Sequence, residues 1–170
     1  PEVFAWWRAA ASQGHEDALY RLGCAHELGD TGQKDPFEAA RLYRRAAELG
    51  HAGARNDLGT LYETGVGVAR DHGEAIRWYE RAANQRDAVA MFNLGRLLWQ
   101  QPAPDARQRS FLWLCQSAVD GHAPAVESRD WVLARASDAE RPILAAMQRE
   151  IESGQRVVKG GHTGPGPDSP

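Results

Sequence analysis

The sequence predicts an all-α fold, a solenoid of stacked helix pairs, and three observations lead to that prediction. Gly23, Gly59 and Gly95, each preceded by Leu, stand 36 residues apart, which reveals an internal repeat. Within each unit the apolar residues recur at intervals of three and four, the spacing of amphipathic helices. No segment sustains the alternation of apolar and polar residues that is typical of strands.

Each repeat contains two predicted helices. The approximate bounds are 16–28 and 36–49 in the first repeat, 52–64 and 72–84 in the second, and 87–100 and 106–119 in the third. Part of a preceding helix, Phe4 to Ser12, opens the chain, and helices at 124–136 and ending near Ser153 close it. The three repeats are therefore flanked by helices at both ends.

Glycines and prolines mark the breaks between these helices. Gly14, Gly50 and Gly121 stand where a helix C-terminus favours a left-handed residue. Pro102 and Pro104 separate the helices of the third pair.

A capping box opens the final helix. Ser137 and Glu140 have the spacing of that motif, but Pro142 would interrupt the backbone hydrogen bonding of a helix that began at Ser137. The sequence allows two starting points for this helix, the capping box and Pro142.

Glycine inside a helix costs about 1 kcal/mol relative to alanine, so its recurrence at one position needs a steric reason. Without a Cβ atom at Gly23, Gly59 and Gly95, the two helices of a pair approach closely. We expect the neighbouring space to be filled by the aromatic residues of the second helices, namely Tyr43, Trp78, Tyr79 and Trp113. This interpretation assigns most of the six Trp to packing.

Composition excludes several classes of protein. The 170 residues are 42% hydrophobic and 25% charged, as in ordinary globular proteins, and no apolar run has the length of a membrane span. A net charge of −3 gives no reason to expect a nucleic-acid partner. Only two of the twenty basic residues are Lys, a bias typical of a GC-rich bacterial genome. Cys24 and Cys115 are too sparse for a disulfide framework and are expected to be buried thiols.

The second repeat has a recognisable pattern. Its defining residues are Ala54, Leu58, Gly59, Tyr62, Gly65, Gly67, Val68, Asp71, Ala75, Trp78, Tyr79, Ala82 and Ala83. In type and spacing they resemble the Sel1-like repeat, a relative of the tetratricopeptide repeat. The first repeat retains Gly23, Gly29, Asp35 and Tyr43 but changes the turn, and the third replaces the turn with residues 101–104.

The resemblance implies a right-handed α-α superhelix with a C-terminal capping helix. It divides the chain into a partial preceding repeat at 1–14, repeats at 15–50 and 51–86, a divergent repeat at 87–121, a helical cap at 122–154 and a flexible tail at 155–170. Solenoid ends need such a cap because they must present a polar outer face.

No catalytic constellation emerges from the sequence. His15, His51 and His122 recur at one repeat position, and stacked helix pairs separate such positions by roughly 10 Å, too far for one metal ion. No Ser is followed by Lys three residues later, the pattern of a penicillin-binding nucleophile. We therefore predict no enzyme activity, no cofactor and no metal, and keep a weak β-lactamase-like hydrolase as a distant third function.

The resemblance implies that the first helix of each pair lines a concave groove. The positions expected to face it are Tyr20, Cys24, Glu27, Asn56, Thr60, Glu63, Phe92, Arg96 and Trp99. Aromatic anchors with Asn, Thr and Arg suit an extended peptide or a partner helix. The alternative is that Phe92 and Trp99 pack against the next repeat.

The favoured function is a non-catalytic scaffold or adaptor that binds a protein or peptide, without nucleic-acid binding or membrane insertion. The alternative is a regulatory or envelope-associated module of a larger bacterial enzyme, secretion or signalling system. The sequence begins at Pro1 within a helical pattern, so we expect a preceding segment. The cytoplasm is the favoured compartment, with the periplasm as the alternative. The sequence predicts neither the identity of the partner nor the oligomeric state.

Overall fold

Nine helices make up most of the described part of the chain, residues 2–103, 105–156 and 158 of a computed structural model, and no strand occurs there. In chain order they are α1 (Glu2–Ser12), α2 (Glu16–Leu28), α3 (Pro36–Leu49), α4 (Ala52–Thr64), α5 (His72–Ala83), α6 (Ala88–Trp99), α7 (Ala106–Val119), α8 (Ala123–Arg135) and α9 (Glu140–Glu152). The predicted all-α fold of helix pairs is confirmed.

Aspartates begin three of these helices. The carboxylates of Asp35, Asp71 and Asp87 accept hydrogen bonds of 2.8–3.0 Å from first-turn backbone N–H groups of α3, α5 and α6. Such a cap satisfies N–H groups that have no partner within the helix, which typically contributes about 1 kcal/mol. The cap explains why α6 begins at Ala88, one residue later than the sequence pattern indicated.

Left-handed residues separate each repeat from the next. Gly14, Gly50 and Gly121 have φ angles of +84°, +113° and +92°, as predicted from their positions. Arg86 stands at the equivalent junction with a φ of +68°, a conformation that costs a non-glycine residue about 1–2 kcal/mol. The chain therefore reverses at the same point of every repeat, whichever residue is present.

The helices of a pair approach closely at the recurring glycines. A Cβ atom on Gly23 would lie 2.5 Å from Tyr43 Cε1, and one on Gly59 would lie 2.7 Å from the Tyr79 ring. In the third pair the side chain beside Gly95 is Leu114 at 2.8 Å, not Trp113 as expected from the sequence. Trp113 is buried instead in the cluster that joins α5, α6 and α7.

The core consists of three apolar clusters in chain order. The first joins α1–α4 with Trp78, the second joins α5, α6 and α7, and the third joins α7, α8 and α9. Within each repeat the two helices pack along their length, and each second helix also packs against the first helix of the next repeat. Burial is therefore local, as expected of a solenoid.

The C-terminal helices depart from this pattern, because α9 packs mainly against α7 and makes few contacts with α8. The capping box forms: the Ser137 backbone N–H donates to Glu140 Oε2 at 3.0 Å, and the Glu140 N–H donates to Ser137 Oγ at 3.3 Å. Helix α9 begins at Glu140, so Pro142 lies in its first turn, where no intrahelical hydrogen bond is lost.

The first residues of the predicted tail contact the helices that precede them. The Arg156 backbone N–H donates to the Glu150 carbonyl at 3.0 Å, and Val158 packs against the second and third clusters. Val157 and residues 159–170 lie outside the described residues, as do Pro1 and Pro104.

Candidate protein-binding groove

Side chains of the first helices α2, α4 and α6 meet from one repeat to the next. The hydroxyl of Tyr20 donates to Asp57 Oδ2 at 3.0 Å, across 37 positions of sequence. One repeat later, Asn93 Nδ2 donates to Asn56 Oδ1, also at 3.0 Å. These hydrogen bonds hold neighbouring first helices side by side, and we call the surface that the three helices form the first-helix surface.

An ion pair continues the same series of contacts. Arg96 Nη2 donates to both carboxylate oxygens of Glu63, at 2.6 and 2.8 Å. The Arg96 side chain keeps 43% of its surface exposed, so the pair contributes at most about 1 kcal/mol to stability. Thr60 is exposed beside it, with its hydroxyl 3.1 Å from Tyr79 Oη. Arg96 and Thr60 are thus held in place and remain accessible to a partner.

A tyrosine–glutamate pair recurs inside the first two repeats. The hydroxyl of Tyr43 donates to Glu27 Oε2 at 2.7 Å, and that of Tyr79 donates to Glu63 Oε2 at 2.9 Å. Burial raises the pKa of both tyrosines well above the ordinary value, so both remain protonated donors at neutral pH. Each pair fixes a carboxylate on the first-helix surface.

In the third repeat both members of this pair are replaced. Trp99 stands at the glutamate position and Leu114 at the tyrosine position. Leu114 is buried in the third cluster and Trp99 packs against that cluster. Replacing both partners avoids leaving a buried hydroxyl without an acceptor, which would cost about 1–3 kcal/mol. An apolar contact therefore takes the place of a hydrogen bond.

A cleft lies beside these two residues, at the C-terminal end of the first-helix surface. The rings of Trp99 and Trp131 meet edge to face, with centroids 5.2 Å apart and planes at 80°. The cleft has a volume of about 400 Å³ and is lined by Arg96, Trp99, Gln100, Leu114, Glu127, Ser128, Trp131 and Val132. We call it the aromatic cleft. Trp131 keeps 43% of its surface exposed there.

Arginines lie against both Trp rings. Arg107 Cζ is 5.1 Å from the ring centroid of Trp99, and Arg135 Cζ is 3.9 Å from that of Trp131. Cation–π contacts at exposed sites contribute about 0.5–1 kcal/mol each. They help to hold the two rings in the observed orientation.

Phe92 lies beside this cleft. Its ring centroid is 5.0 Å from that of His122, and the side chain is half-buried against the third cluster. Phe92 and Trp99 both contact residues at or within α8, the inter-repeat packing that the sequence left as the alternative to groove binding. Both are also only half-buried, so each keeps some surface for a partner.

Tyr20 lies at the other end of the surface, against a histidine with a structural role. Its ring stacks on that of His51 at a centroid distance of 4.2 Å. The backbone N–H of Ala54 donates to His51 Nδ1 at 3.0 Å, so this ring caps α4, and Nε2 is 3.3 Å from Asp17 Oδ1. His15 and His122 occupy the equivalent N-cap positions of α2 and α8.

Burial also perturbs two other groups near these contacts. It raises the pKa of Asp57, an effect that the hydrogen bonds from Tyr20 and Asn56 oppose. It raises the pKa of the Cys115 thiol to about 12. Cys115 is a buried free thiol, whereas Cys24 is only half-buried on the first-helix surface.

Among the described residues, no three His, Cys, Asp or Glu side chains come together as a metal site. None of the described helices combines the length and the apolar character that crossing a membrane requires.

Sequence reasoning missed three residues of this surface: Asp57, Asn93 and Trp131. Trp131 stands 35 residues after Arg96, at the position that directly follows the recurring glycine. Extending the repeat register beyond residue 122 would have identified it. Asp57 and Asn93 lie two positions before that glycine, a position that the groove assignment did not include.

Known proteins share this sequence pattern. The family model of the Sel1 repeat matches residues 4–15, 16–51, 52–87 and 88–122. No curated protein matches the chain.

Several solved structures are similar, and two bacterial proteins are among them. A Sel1 repeat protein from Oxalobacter formigenes is 30% identical, with a TM-score of 0.66 over 73% of this chain and 94% of that one. A protective antigen of uropathogenic Escherichia coli with an SLR fold is 29% identical, with a TM-score of 0.75 over 86% of this chain. The match covers 33% of the Escherichia coli chain, so this chain spans about a third of that protein.

Proposed function

Because the chain belongs to the Sel1 repeat family, whose members are generally protein-interaction scaffolds, we propose that it binds a peptide or helix of a partner protein on the first-helix surface. The observation that supports this proposal is the aromatic cleft. A glutamate–tyrosine pair of the first two repeats is replaced there by Trp99 and Leu114, and Trp131 is left half-exposed beside them.

The cleft has the composition of an anchoring pocket. Binding energy at protein interfaces concentrates in a few residues, most often Trp, Tyr and Arg, that lie in pockets and lose water on binding. Trp99 and Trp131 supply the apolar surface, and their orientation is already restricted by Arg107 and Arg135. A preorganised ring loses less conformational entropy on binding. An apolar or aromatic side chain of the partner fits this position.

The remaining groove residues supply polar contacts along the partner. Thr60 and Arg96 are exposed, while Tyr20 and Asn56 are half-buried and bonded to the next repeat. In this proposal Phe92, Arg96 and Trp99 make the principal contacts at the cleft, and Asn56 and Thr60 contact the partner backbone. The role is non-catalytic, in keeping with a family that is generally so.

Selection of peptides against the immobilised chain tests the proposal. Peptides from a displayed random library are synthesised, and their affinities for wild type and for Trp131→Ala are measured by fluorescence anisotropy. Loss of an interface anchor costs 2 kcal/mol or more, so we expect Trp131→Ala to weaken binding about thirtyfold. The double variant Phe92→Ala with Arg96→Ala is expected to abolish binding while keeping a helical circular dichroism spectrum and a cooperative melting transition.

Phe37→Ala is the matched control. Phe37 is 73% exposed on α3 and lines neither the aromatic cleft nor the cleft beside Tyr20. Its removal should leave affinity unchanged. Selected peptides that bind wild type, Trp131→Ala and the double variant equally would place the binding surface elsewhere.

A further inference from the structure

A second groove lies between α3 and α5, in the middle of the stack. These two second helices pack mainly against α4, which forms the floor between them. Arg55, Leu58 and Tyr62 follow one another at intervals of three and four on this face of α4, away from the face that holds Asn56 and Thr60. We define the second-helix groove by five residues of the three helices: Arg44, Arg55, Tyr62, Trp78 and Arg81.

Aromatic rings position two arginines on opposite walls of this groove. On α3, Arg44 Nη2 donates to the Tyr62 hydroxyl, and Arg44 Cζ lies 5.7 Å from the centroid of that ring. On α5, Arg81 Cζ lies 4.6 Å from the ring centroid of Trp78, which belongs with Leu58 to the first cluster. Both arginines are half-buried, so each guanidinium is held in place and keeps some surface for a ligand.

Arg55 occupies a position that is apolar and buried in the neighbouring repeats. The equivalent residues are Leu19, which is 0% exposed, and Met91, which is 1% exposed. Arg55 is half-buried, and its Nε donates to the Ala47 carbonyl at 2.9 Å. Burial and the charge of Arg81 both lower the pKa of Arg55. A half-buried cation beside a like charge is unfavourable unless an anion balances it.

No carboxylate of the described residues balances these charges. Among those residues, Arg44, Arg55 and Arg81 form no ion pair. The next groove, between α5 and α7, differs in this respect, because Glu80 replaces Arg44 there and pairs with Arg109 of α7 at 2.9 Å.

A carboxylate does stand at the position of Arg109 on the near wall of the second-helix groove. It belongs to Glu74, which pairs with Arg77 of its own helix and not with Arg44 across the groove. The ion pair that bridges the next groove is therefore not formed here, and the arginines of the second-helix groove are left for another anion.

We infer that the second-helix groove binds an acidic segment of a partner polypeptide, whose Asp or Glu side chains pair with Arg44, Arg55 and Arg81. A guanidinium binds a carboxylate through two parallel hydrogen bonds. The groove also has more donors than acceptors, since the buried Trp78 Nε1 has no hydrogen-bond partner among the described residues.

The shape and charge of the molecule favour a flexible acidic segment over a larger polyanion. Arg55 lies on the floor between two helices, where a side chain reaches it more easily than a flat membrane surface does. The net charge of −3 repels an extended anionic surface, whereas a short segment interacts mainly with the groove. The second-helix groove and the aromatic cleft are separate surfaces, so binding at one does not depend on the other.

Titration of fluorescein-labelled hexaglutamate into the full chain, followed by anisotropy, tests the inference. We expect saturable binding that weakens as the salt concentration rises, because ions screen the guanidinium charges. Labelled hexaglutamine has the same length without the charge and should not bind. Equal binding of the two peptides, or no saturable binding of hexaglutamate at low salt, would overturn the inference.

Exchange of the arginines for the residues of the third repeat locates the site. Arg55→Met and Arg81→Gln introduce the side chains of Met91 and Gln116, which the equivalent positions already accommodate. Each variant should keep a cooperative melting transition and bind hexaglutamate at least about tenfold more weakly. Arg149→Gln, an exposed change of the same charge on α9, is the matched control and should bind as wild type does. Equal weakening by Arg149→Gln and Arg81→Gln would reveal only an effect of net charge and contradict the inference.

Two further measurements separate this groove from other partners and from the aromatic cleft. Trp131→Ala should bind hexaglutamate as wild type does, so loss of peptide binding at the cleft leaves this result unchanged. Sedimentation with vesicles of phosphatidylcholine and phosphatidylserine in equal parts should be the same for wild type and Arg55→Met. Vesicle binding that Arg55→Met abolishes would assign the groove to an anionic membrane and refute the acidic polypeptide.

Discussion

Asp57 shows how one residue of the first-helix surface couples stability to pH. Its carboxylate accepts hydrogen bonds from Tyr20 at 3.0 Å and from Asn56 at 3.1 Å. Both bonds favour the charged form, but burial disfavours it more and raises the pKa above the ordinary value of 3.8. The native state therefore binds this proton more tightly than the unfolded state does.

The stabilising effect of the neutral carboxyl is present at pH values below 3.8 and is lost as the pH rises through the higher native pKa. We expect the free energy of unfolding of wild type, minus that of Asp57→Asn, to decrease between about pH 4 and pH 7. Urea unfolding at a series of pH values measures this difference. A difference that grows with pH would show that the hydrogen bonds outweigh burial.

Among single residues, the sequence predicted those that have the same role in successive repeats and missed those that do not. Gly23 and Gly59 recur with a tyrosine partner, so the close approach of their helices was predictable from the sequence. Trp131 was missed because the repeat register was not extended beyond residue 122, and no recurring residue type marked its position, which holds Cys, Thr or Arg in the other repeats. The register alone places Trp131 on the first-helix surface, but its packing against Trp99 depends on side chains that differ from repeat to repeat.

Among the helices, α9 is the one whose placement the repeat pattern does not predict. Its capping box and approximate end were evident in the sequence, since both depend on local hydrogen bonding. Its packing against α7 depends on long-range burial of Leu144 and Ile151, and no preceding repeat offers a template for that contact. Local signals thus place the helix along the chain, and tertiary contacts orient it.

Helix α9 also protects Cys115, which lies with Ile151 in the third cluster. In a Cys24→Ser background, the single thiol should react slowly with Ellman's reagent, because it is buried and its pKa of about 12 keeps it protonated. Ile151→Ala should cost about 2–5 kcal/mol and accelerate the reaction about tenfold or more, by favouring states in which α9 has separated.

Ile143→Ala is the control for that experiment. Ile143 belongs to the same helix but is 47% exposed, so its truncation removes little buried surface. Its reaction rate should stay close to that of the Cys24→Ser background. Equal acceleration by both changes would mean that α9 does not shield the thiol through the buried contact of Ile151.

In the whole molecule, the core is divided into three successive clusters. A destabilising substitution therefore affects mainly the helices close to it. Each helix contacts only its near neighbours in sequence, so stability is approximately a sum of repeat and interface contributions. Gly59→Ala places a Cβ atom 2.7 Å from Tyr79, in the middle of the stack. This overpacking costs about 1–3 kcal/mol, more than the gain of about 1 kcal/mol in helix propensity.

Hydrogen exchange measures which helices lose stability in the Gly59→Ala variant. We expect Gly59→Ala to reduce protection most in α4 and α5, less in α3 and α6, and least in α9. In a Tyr79→Ala background the same substitution should be neutral or stabilising, because the ring that it collides with is absent. A uniform loss of protection from α1 to α9 would show that the chain unfolds as one cooperative unit.

The hydrogen bond between Asn93 and Asn56 also bears on how such chains lengthen during evolution. A tandem gene duplication of residues 52–87 would place Asn56 of one copy opposite Asp57 of the next, so an amide donor would meet a carboxylate acceptor. The side chains at the new junction would be complementary as soon as the duplication occurred, without compensating mutations. Duplication of residues 88–122 would instead set Phe92 opposite Asn93, an apolar side chain against an amide. Duplication of the second repeat therefore needs fewer compensating mutations than duplication of the third.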